Sequence, residues 1–506
     1  MIEETFDEHD HVVDYKWTMR SRLFDMLIGD WDRHDDQWRW AQLEEGDKKI
    51  YRPIPRDRDQ AFSKYDCPLL GIARQTSPNL KKLQIYKGKV NKIQWLLYNA
   101  RHFDRTFLSG VEWKDWQEEA RAMQKNITDE IIEAAFKENW PKDIYDIDGP
   151  SIIKKLKARR DNLEKIARDA YLYLAREVDV IGTNERDLFK VERLDNERTR
   201  VRVYDTNKEA EEEELLFDRT FLTDETKEII LYDDFFNISG TVSKGIKIRI
   251  VGGLGDDTVN DESKVGGGAK KTLVYDTPEV AKTKEDDGNY FNTGPSTRLL
   301  LRDDPKFNTL HRRSLDYEFN FGSTLPSIAF NPDEGILLGL SSSFTTYGFK
   351  KSPYSTFHTL VGQIALATSG IAFDYSGQFL DVFGKWDFQL NTRFQTPMYS
   401  INFYGLGNDT NNPEVLNPDI FDLSYNRVSQ QLFSVLPAFA RRLNKSSKFT
   451  IGPTFESIKV DSVGDEDEVR FISTITDQFE NQQLFEGIEF LGVKTSLDYD
   501  VKDNSA

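Results

Sequence analysis

Between Gly29 and Trp40 the chain reads GDWDRHDDQWRW, which sets four aspartates, one of only six histidines and three of nine tryptophans side by side. Carboxylates at that density can work in two ways. They can accept a proton or hold a hard cation such as Mg²⁺ or Mn²⁺ beside phosphate oxygens. They can equally serve structure, with Asp30 and Asp32 capping a helix, Arg33, Arg56 and Arg58 in local ion pairs, and the tryptophans packed beneath. Further on comes KKIYRPIPRDRDQAF, an extended piece that ends on two more carboxylates, Asp57 and Asp59.

The phrases GDWDRH and RDRDQAF resemble the Asp-Arg-His and Asp-x-Asp-x-x-Phe elements of atypical kinases, the group that includes the secreted Fam-twenty-type, CotH, HipA-like and lipid kinases. That resemblance implies phosphoryl transfer with Asp32 as the base beside the substrate hydroxyl and His34 bracing its loop. Gln37, five residues on, would be a metal ligand, and Asp57 or Asp59 the second one, for Mg²⁺ or Mn²⁺. Two departures stand beside it. Gln37 takes the place of the usual asparagine, and too little chain precedes Asp32 for the lobe that grips the nucleotide. The expectation is a kinase-like segment that is incomplete as a catalyst.

A second cation motif is GGLGDDTVN at 252–260, which fits the nonapeptide G-G-x-G-x-D-x-U-x of calcium-binding β-rolls at each fixed position. Gly252, Gly253 and Gly255 would allow the tight turn, and Asp257 would offer oxygen to Ca²⁺. One repeat makes half a site, and a plain glycine corner explains the same letters.

The elements that must position these residues divide the chain in three. A length of 506 residues exceeds what one core usually supports. Residues 1–195 read as a kinase-like α/β segment. Apolar spacings of three and four predict two long amphipathic helices, Trp113–Phe136 and Ser151–Val178, broken near Trp140-Pro141. Residues 196–312 carry short apolar runs that end in aspartate, IILYDD, IRIVGGLGDD, TLVYD and RLLLRDD. Rungs of that kind are too small to bury their own apolar faces, so a short β-solenoid is expected. The hexapeptide FDRTFL occurs at 103–108 and again at 217–222 and fits no such period.

From 313 to 506 the pattern alternates with a period of two. Phe373, Tyr375, Phe379, Trp386, Phe388, Leu390 and Phe394 fall on one face; Asp374, Gln378, Asp387, Asn391 and Arg393 fall on the other. Alternation of this kind suits a soluble β-sandwich and an outer-membrane barrel alike. The wording around Pro332, Asp333 and Gly335, and around Asn402, Phe403, Gly405, Gly407, Asn408 and Thr410, resembles the barrel of the bacterial surface-antigen family, the BamA/TamA-like outer-membrane proteins. The resemblance implies an antiparallel half-barrel, outer-membrane lipid and envelope proteins as partners, and location in a Gram-negative outer membrane. It also implies a piece of a longer envelope protein whose signal lies upstream, in some arrangements fused to a phosphoesterase domain. The alternative is a metal-dependent phosphotransferase whose strand-rich half is soluble.

Bulk composition narrows the partners. With 86 acidic against 67 basic residues the formal charge is −19, which disfavours nucleic acid. Cys67, the one cysteine, permits no internal disulfide.

Overall fold

The computed structural model describes residues 3–206, 212–268, 271–284, 286–313, 318–397, 399–405, 425–444, 446–461, 470–479 and 483–500. Gly407, Asn408 and Thr410 of the barrel-like wording lie outside the described residues. The chain forms two compact units, residues 1–70 with 81–314, and residues 71–80 with 315–506.

The first unit opens with β1 (His11–Val13) and α1 (Tyr15–Ile28), followed by the hairpin β2 (Trp38–Glu45) and β3 (Lys48–Pro55). After three short helical pieces (Pro68–Ala73, Pro78–Lys81 and Ile93–Leu96), longer helices follow: α2 (Arg101–Leu108), α3 (Trp113–Asn126), α4 (Asp129–Asn139), α5 (Lys142–Asp161) and α6 (Leu163–Ala175). Leu23, Leu27, Trp116, Leu163 and Ala167, all buried, form the core they share. The two long helices expected from periodicity are four, and capping chemistry explains the first extra break. Thr128 accepts a hydrogen bond from Ile131 N and starts a new helix inside the 113–136 run. The 151–178 expectation also overran its end. Val178 and Val180 belong to a strand, where β-branched side chains pack well.

That strand, β4 (Glu177–Ile181), begins a parallel stack. The chain alternates between two sheets through β5 (Asp187–Arg193), β8 (Glu228–Tyr232), β9 (Phe235–Ser239), β11 (Lys247–Val251), β12 (Thr258–Asp261), β14 (Thr272–Asp276), β15 (Tyr290–Thr293) and β16 (Thr297–Leu301). One sheet has the order β16-β14-β11-β8-β4 and the other runs β15-β12-β9-β5 before an antiparallel extension, β6 (Arg198–Thr206) and β7 (Glu212–Leu222). A third, smaller face pairs β10 (Thr241–Val242) with β13 (Lys264–Val265). Register carries the core from rung to rung: Val180 pairs with Leu231, Leu231 with Ile250, and Ile250 with Val274. On the facing sheet Phe189 pairs with Phe236, and Phe236 with Val259. This is the stacked strand-turn geometry of a solenoid, and it starts at Glu177, inside the stretch 1–195.

The repeated hexapeptide takes two forms here. Phe103–Leu108 is helical, with Phe103, Asp104, Phe107 and Leu108 buried. Phe217–Leu222 is strand, with Arg219 and Phe221 buried instead. Arg219 Nη1 donates to the carbonyl of Ser109, the residue after the first copy (2.8 Å).

The second unit is a nine-stranded antiparallel sheet, β17 (Phe321–Asn331), β18 (Gly335–Thr346), β19 (Thr356–Ala365), β20 (Ile371–Phe383), β21 (Trp386–Gln395), β22 (Ser400–Asn402), β23 (Arg427–Arg442), β24 (Ser447–Asp461) and β25 (Ile488–Tyr499). Its strands follow chain order, with β22 paired to β23 beside β21. Among the described residues β17 and β25 do not pair, so the sheet is barrel-like in pattern without closing on itself.

Candidate functional site

Helix α1 delivers the opening motif. Asp14 caps its start by accepting from Trp17 N (2.9 Å), and Gly29 ends it in the left-handed conformation (φ 78°), donating to Asp25 O (2.8 Å). A side chain at Gly29 would also meet the Tyr86 ring, whose hydroxyl donates to Leu27 O (2.9 Å). The chain therefore turns sharply out of the helix into the aspartate loop. Asp30 and Asp32 follow a helix end and cap none. Asp30 Oδ1 instead accepts from Asp32 N (3.1 Å), which shapes the loop.

Below the loop lies a buried network of charges. Asp25 accepts from Arg22 Nη1 (2.9 Å), from Arg33 Nε and Nη2 (2.9 and 3.1 Å) and from Arg58 Nε (3.0 Å). Arg33 also donates to Asp30 Oδ2 (2.8 Å), and Arg22 to both oxygens of Asp104 (2.7 and 3.0 Å). Arg22, Arg33, Asp25, Asp30 and Asp104 are all buried. Trp38 stacks on Phe103 (centroids 4.4 Å apart) under the same loop. Arg33 and Arg58 thus both stand in ion pairs, sharing Asp25 on α1, with Asp30 of the loop added for Arg33, while the α2 carboxylate, Asp104, belongs to Arg22.

The polar residues above this floor come together through the hairpin. Opposed residues Trp38 and Pro55 bring the two ends of β2–β3 side by side, and Arg56 N donates to Gln37 O (2.8 Å). Gln37 Nε2 in turn lies 3.4 Å from Asp57 Oδ2, and Asp59 N donates to Asp57 Oδ1 (3.3 Å). Asp57 and Asp59 are exposed and offer their carboxylates to solvent. Asp32 is fixed from elsewhere: Asn99 Nδ2 donates to its Oδ1, and Lys82 Nζ holds Asn99 Oδ1 (2.8 Å). The Lys82 ammonium sits over the Trp31 ring (4.9 Å), and burial lowers its pKa against the pull of Asp32. His34 Nδ1 meets Asp32 O at 3.1 Å, so the ring sits against the loop backbone. The Tyr65 phenol, bonded to Gln60 (2.6 Å), has its pKa raised by burial and then by Asp32 and Asp59, which places it near both. Asn99, Lys82 and Tyr65 carried no signal in the sequence, since they lie far along the chain from Asp32.

Asp257 stands apart, at a solenoid corner. It is buried, and among the described residues no donor reaches either of its oxygens. Nearer the N-terminus, Glu8, Asp10 and His11 hold ligand atoms within 4.8 Å of one another, a group that could bind a metal ion. The Lys49 ammonium already answers it, 3.2 Å from Glu8 Oε2 and 3.0 Å from His11 Nε2. No described helix is long and apolar enough to cross a membrane, which has no bearing on strands.

Comparison with known proteins returns no match to a family model, to a curated protein or to a solved structure.

Proposed function

We propose that the second unit is the lipid-facing sheet of an outer-membrane protein of the surface-antigen type, with the first unit in water outside the bilayer. The observation that carries this reading is the segregation of the two sheet faces. In-register partners Ile328 and Leu338, Leu338 and Ile364, Phe373 and Phe394, and Phe394 and Phe433 share one face. That face continues onto β25, where Phe455 pairs with Leu491 and Pro453 with Val493. It lies open: Leu491 is 85%, Ile328 78% and Val493 72% exposed. The opposite face carries Ser327, Gln363, Asp374, Arg393 and Glu456, with Arg393 Nε donating to Asp374 Oδ1 (2.6 Å). An apolar face this extended is costly in water and is what hydrocarbon accepts. A second support is local. Asn402 Nδ2 donates to Asp333 Oδ2 (2.7 Å), so the two motifs that carry the resemblance meet in space.

The test attaches a fluorophore at a single cysteine, after Cys67→Ser, in the full chain reconstituted into vesicles. A label at Leu390→Cys is expected to be quenched by brominated acyl chains, and one at Asn391→Cys by aqueous iodide. Equal lipid quenching at both positions, or none at either, would rule the reading out.

A second reading is favoured by the 3.4 Å approach of Gln37 to Asp57: metal-dependent phosphotransfer at the Asp32 loop. On that reading Asp57 with Gln37 holds Mg²⁺ or Mn²⁺, and Asp32 accepts the proton of a hydroxyl substrate. Mg²⁺ with ATP should raise the melting temperature of the wild type and leave Asp57→Asn unmoved. A wild type indifferent to nucleotide and metal sinks it.

A further inference from the structure

The corners where the first solenoid sheet hands over to the second carry a column of acidic side chains. Asp187 opens β5, Asp233 and Asp234 join β8 to β9, Asp257 precedes β12, and Asp276 ends β14. Stacked rungs lie about 4.8 Å apart, so carboxylates at successive corners are direct neighbours. Their surroundings differ along the column. Asp187 is answered by His9 Nε2 (2.9 Å) and by Thr183 N (2.6 Å). Asp257 and Asp276 are 1% and 0% exposed, yet among the described residues neither oxygen of Asp257 nor Oδ2 of Asp276 receives a hydrogen bond. Asp261, equally buried one strand further on, shows the ordinary outcome: Ser263 N (2.9 Å) and Thr297 Oγ1 (2.7 Å) satisfy it.

Asp257 faces the remaining oxygen of Asp276, whose Oδ1 accepts from Thr277 N (2.6 Å). A Cβ on Gly252 would overlap Asp257 Oδ2 and lie 2.6 Å from Asp276 Oδ2, so both oxygens converge over one glycine. Asp234 stands beside Asp257 from the preceding rung, and the cation acting on Asp234 is Arg186. The corner backbone is firmly held: Asp257 N donates to Asn289 Oδ1 (2.8 Å), and Asn289 Nδ2 donates to Thr277 Oγ1 (2.8 Å). Burial, followed for Asp257 by the charges of Asp276 and Asp234, drives both acids toward the protonated form. Bare carboxylates in such a place are strongly disfavoured.

We infer that Asp257 and Asp276, with Asp234 at their side, bind a divalent cation, Ca²⁺, at the solenoid corner. The donors are all oxygen, which excludes soft metals. They come from three separate rungs whose spacing the stack dictates, and Ca²⁺ tolerates such irregular geometry where Mg²⁺ demands a near-octahedral cage. The glycine run at 252–255 is thus half of the device. The other half comes from rungs without that motif, whose terminal aspartates arrive by stacking.

The experiment uses the full chain in detergent, stripped with EDTA. Tb³⁺ luminescence sensitised by Tyr232 and Tyr275, which immediately precede Asp233 and Asp276, should appear and be displaced by Ca²⁺. At a hundredfold excess over its dissociation constant, Ca²⁺ should raise the melting temperature of the first unit by roughly 3–5 °C. The double variant D257N/D276N should lose the Tb³⁺ signal and the Ca²⁺ shift, and in EDTA should melt above the wild type because the repulsion is gone. Asp10→Asn, in the group near Lys49, should change neither. Undiminished Ca²⁺ response in D257N/D276N overturns the inference. Should that variant fail to fold, the wild type decides alone: no Ca²⁺-reversible Tb³⁺ luminescence means no site.

Discussion

A charge placed at Leu390 measures what the apolar sheet face touches. Leu390 lies midway along β21, between Gly377 on one neighbour and Pro437 on the other, and its sequence neighbour Asn391 points to the polar face. Ten residues of strand rise about 33 Å, and with a tilt near 40° they cover an apolar band of about 25 Å. On the outer-membrane reading, Leu390 therefore falls close to the midplane. Leu390→Arg should cost roughly 2–4 kcal/mol in a bilayer, against about 0–1 for Asn391→Arg. Those energies correspond to about a 30- to 700-fold change in the unfolding equilibrium for the first and at most about fivefold for the second. The assay is reversible urea unfolding of the full chain in phospholipid vesicles, with the sheet followed by its fluorescence. In water the same Leu390→Arg change on an open face stays within about 0.5 kcal/mol. Equal costs at the two positions, or a larger one at Asn391, would refute the assignment of faces.

Three further outcomes follow from the first unit. Arg33→Leu strips Asp25 and Asp30 of a buried partner and should cost about 3–5 kcal/mol by chemical denaturation, while Arg39→Leu, on an exposed strand position, should cost little. Gly29→Ala forces an L side chain into φ 78° and against Tyr86, and should lower stability by about 1–3 kcal/mol, read by the same method. The pH profile in EDTA tests the corner column. Burial, with Asp187 next, pushes the Asp233 carboxyl up to about 10, and burial raises Asp257 and Asp276 as well. Folding thus favours the protonated acids, so their contribution is fully present below the ordinary value of 3.8 and is lost as pH climbs toward the folded values. Melting curves of wild type and D257N/D276N should therefore diverge increasingly above about pH 4 in EDTA, with the variant higher, and converge when Ca²⁺ is added.

Period and punctuation made much of this architecture readable. Runs such as IILYDD and TLVYD announced rungs because a strand that must stack on its like shows a short apolar stretch and a polar corner. Alternation through Phe373 and Phe394 placed both on one sheet face because the strand period is two. What escaped was whatever depends on separate segments meeting. Asn99 and Lys82 reach Asp32 across the fold, and Asp276 reaches Asp257 only when rungs align; no local spacing encodes either meeting. The helix breaks escape periodicity for a different reason. Thr128 sits at a phase of the apolar pattern that leaves the stripe unbroken, so periodicity continued across a cap that ends one helix and begins another.

The two copies of FDRTFL show where conformational information resides in this chain. As a helix the segment turns Asp104 inward to meet Arg22; as a strand it turns Arg219 inward and leaves Asp218 to pair with Arg200 near the surface. Identical letters thus present opposite charges to their interiors. A helix shorter than about 12–15 residues is marginal in isolation, so the first copy has no secure local form of its own. Neither hexapeptide can seed the fold by itself, and each acquires its shape from segments that arrive from elsewhere.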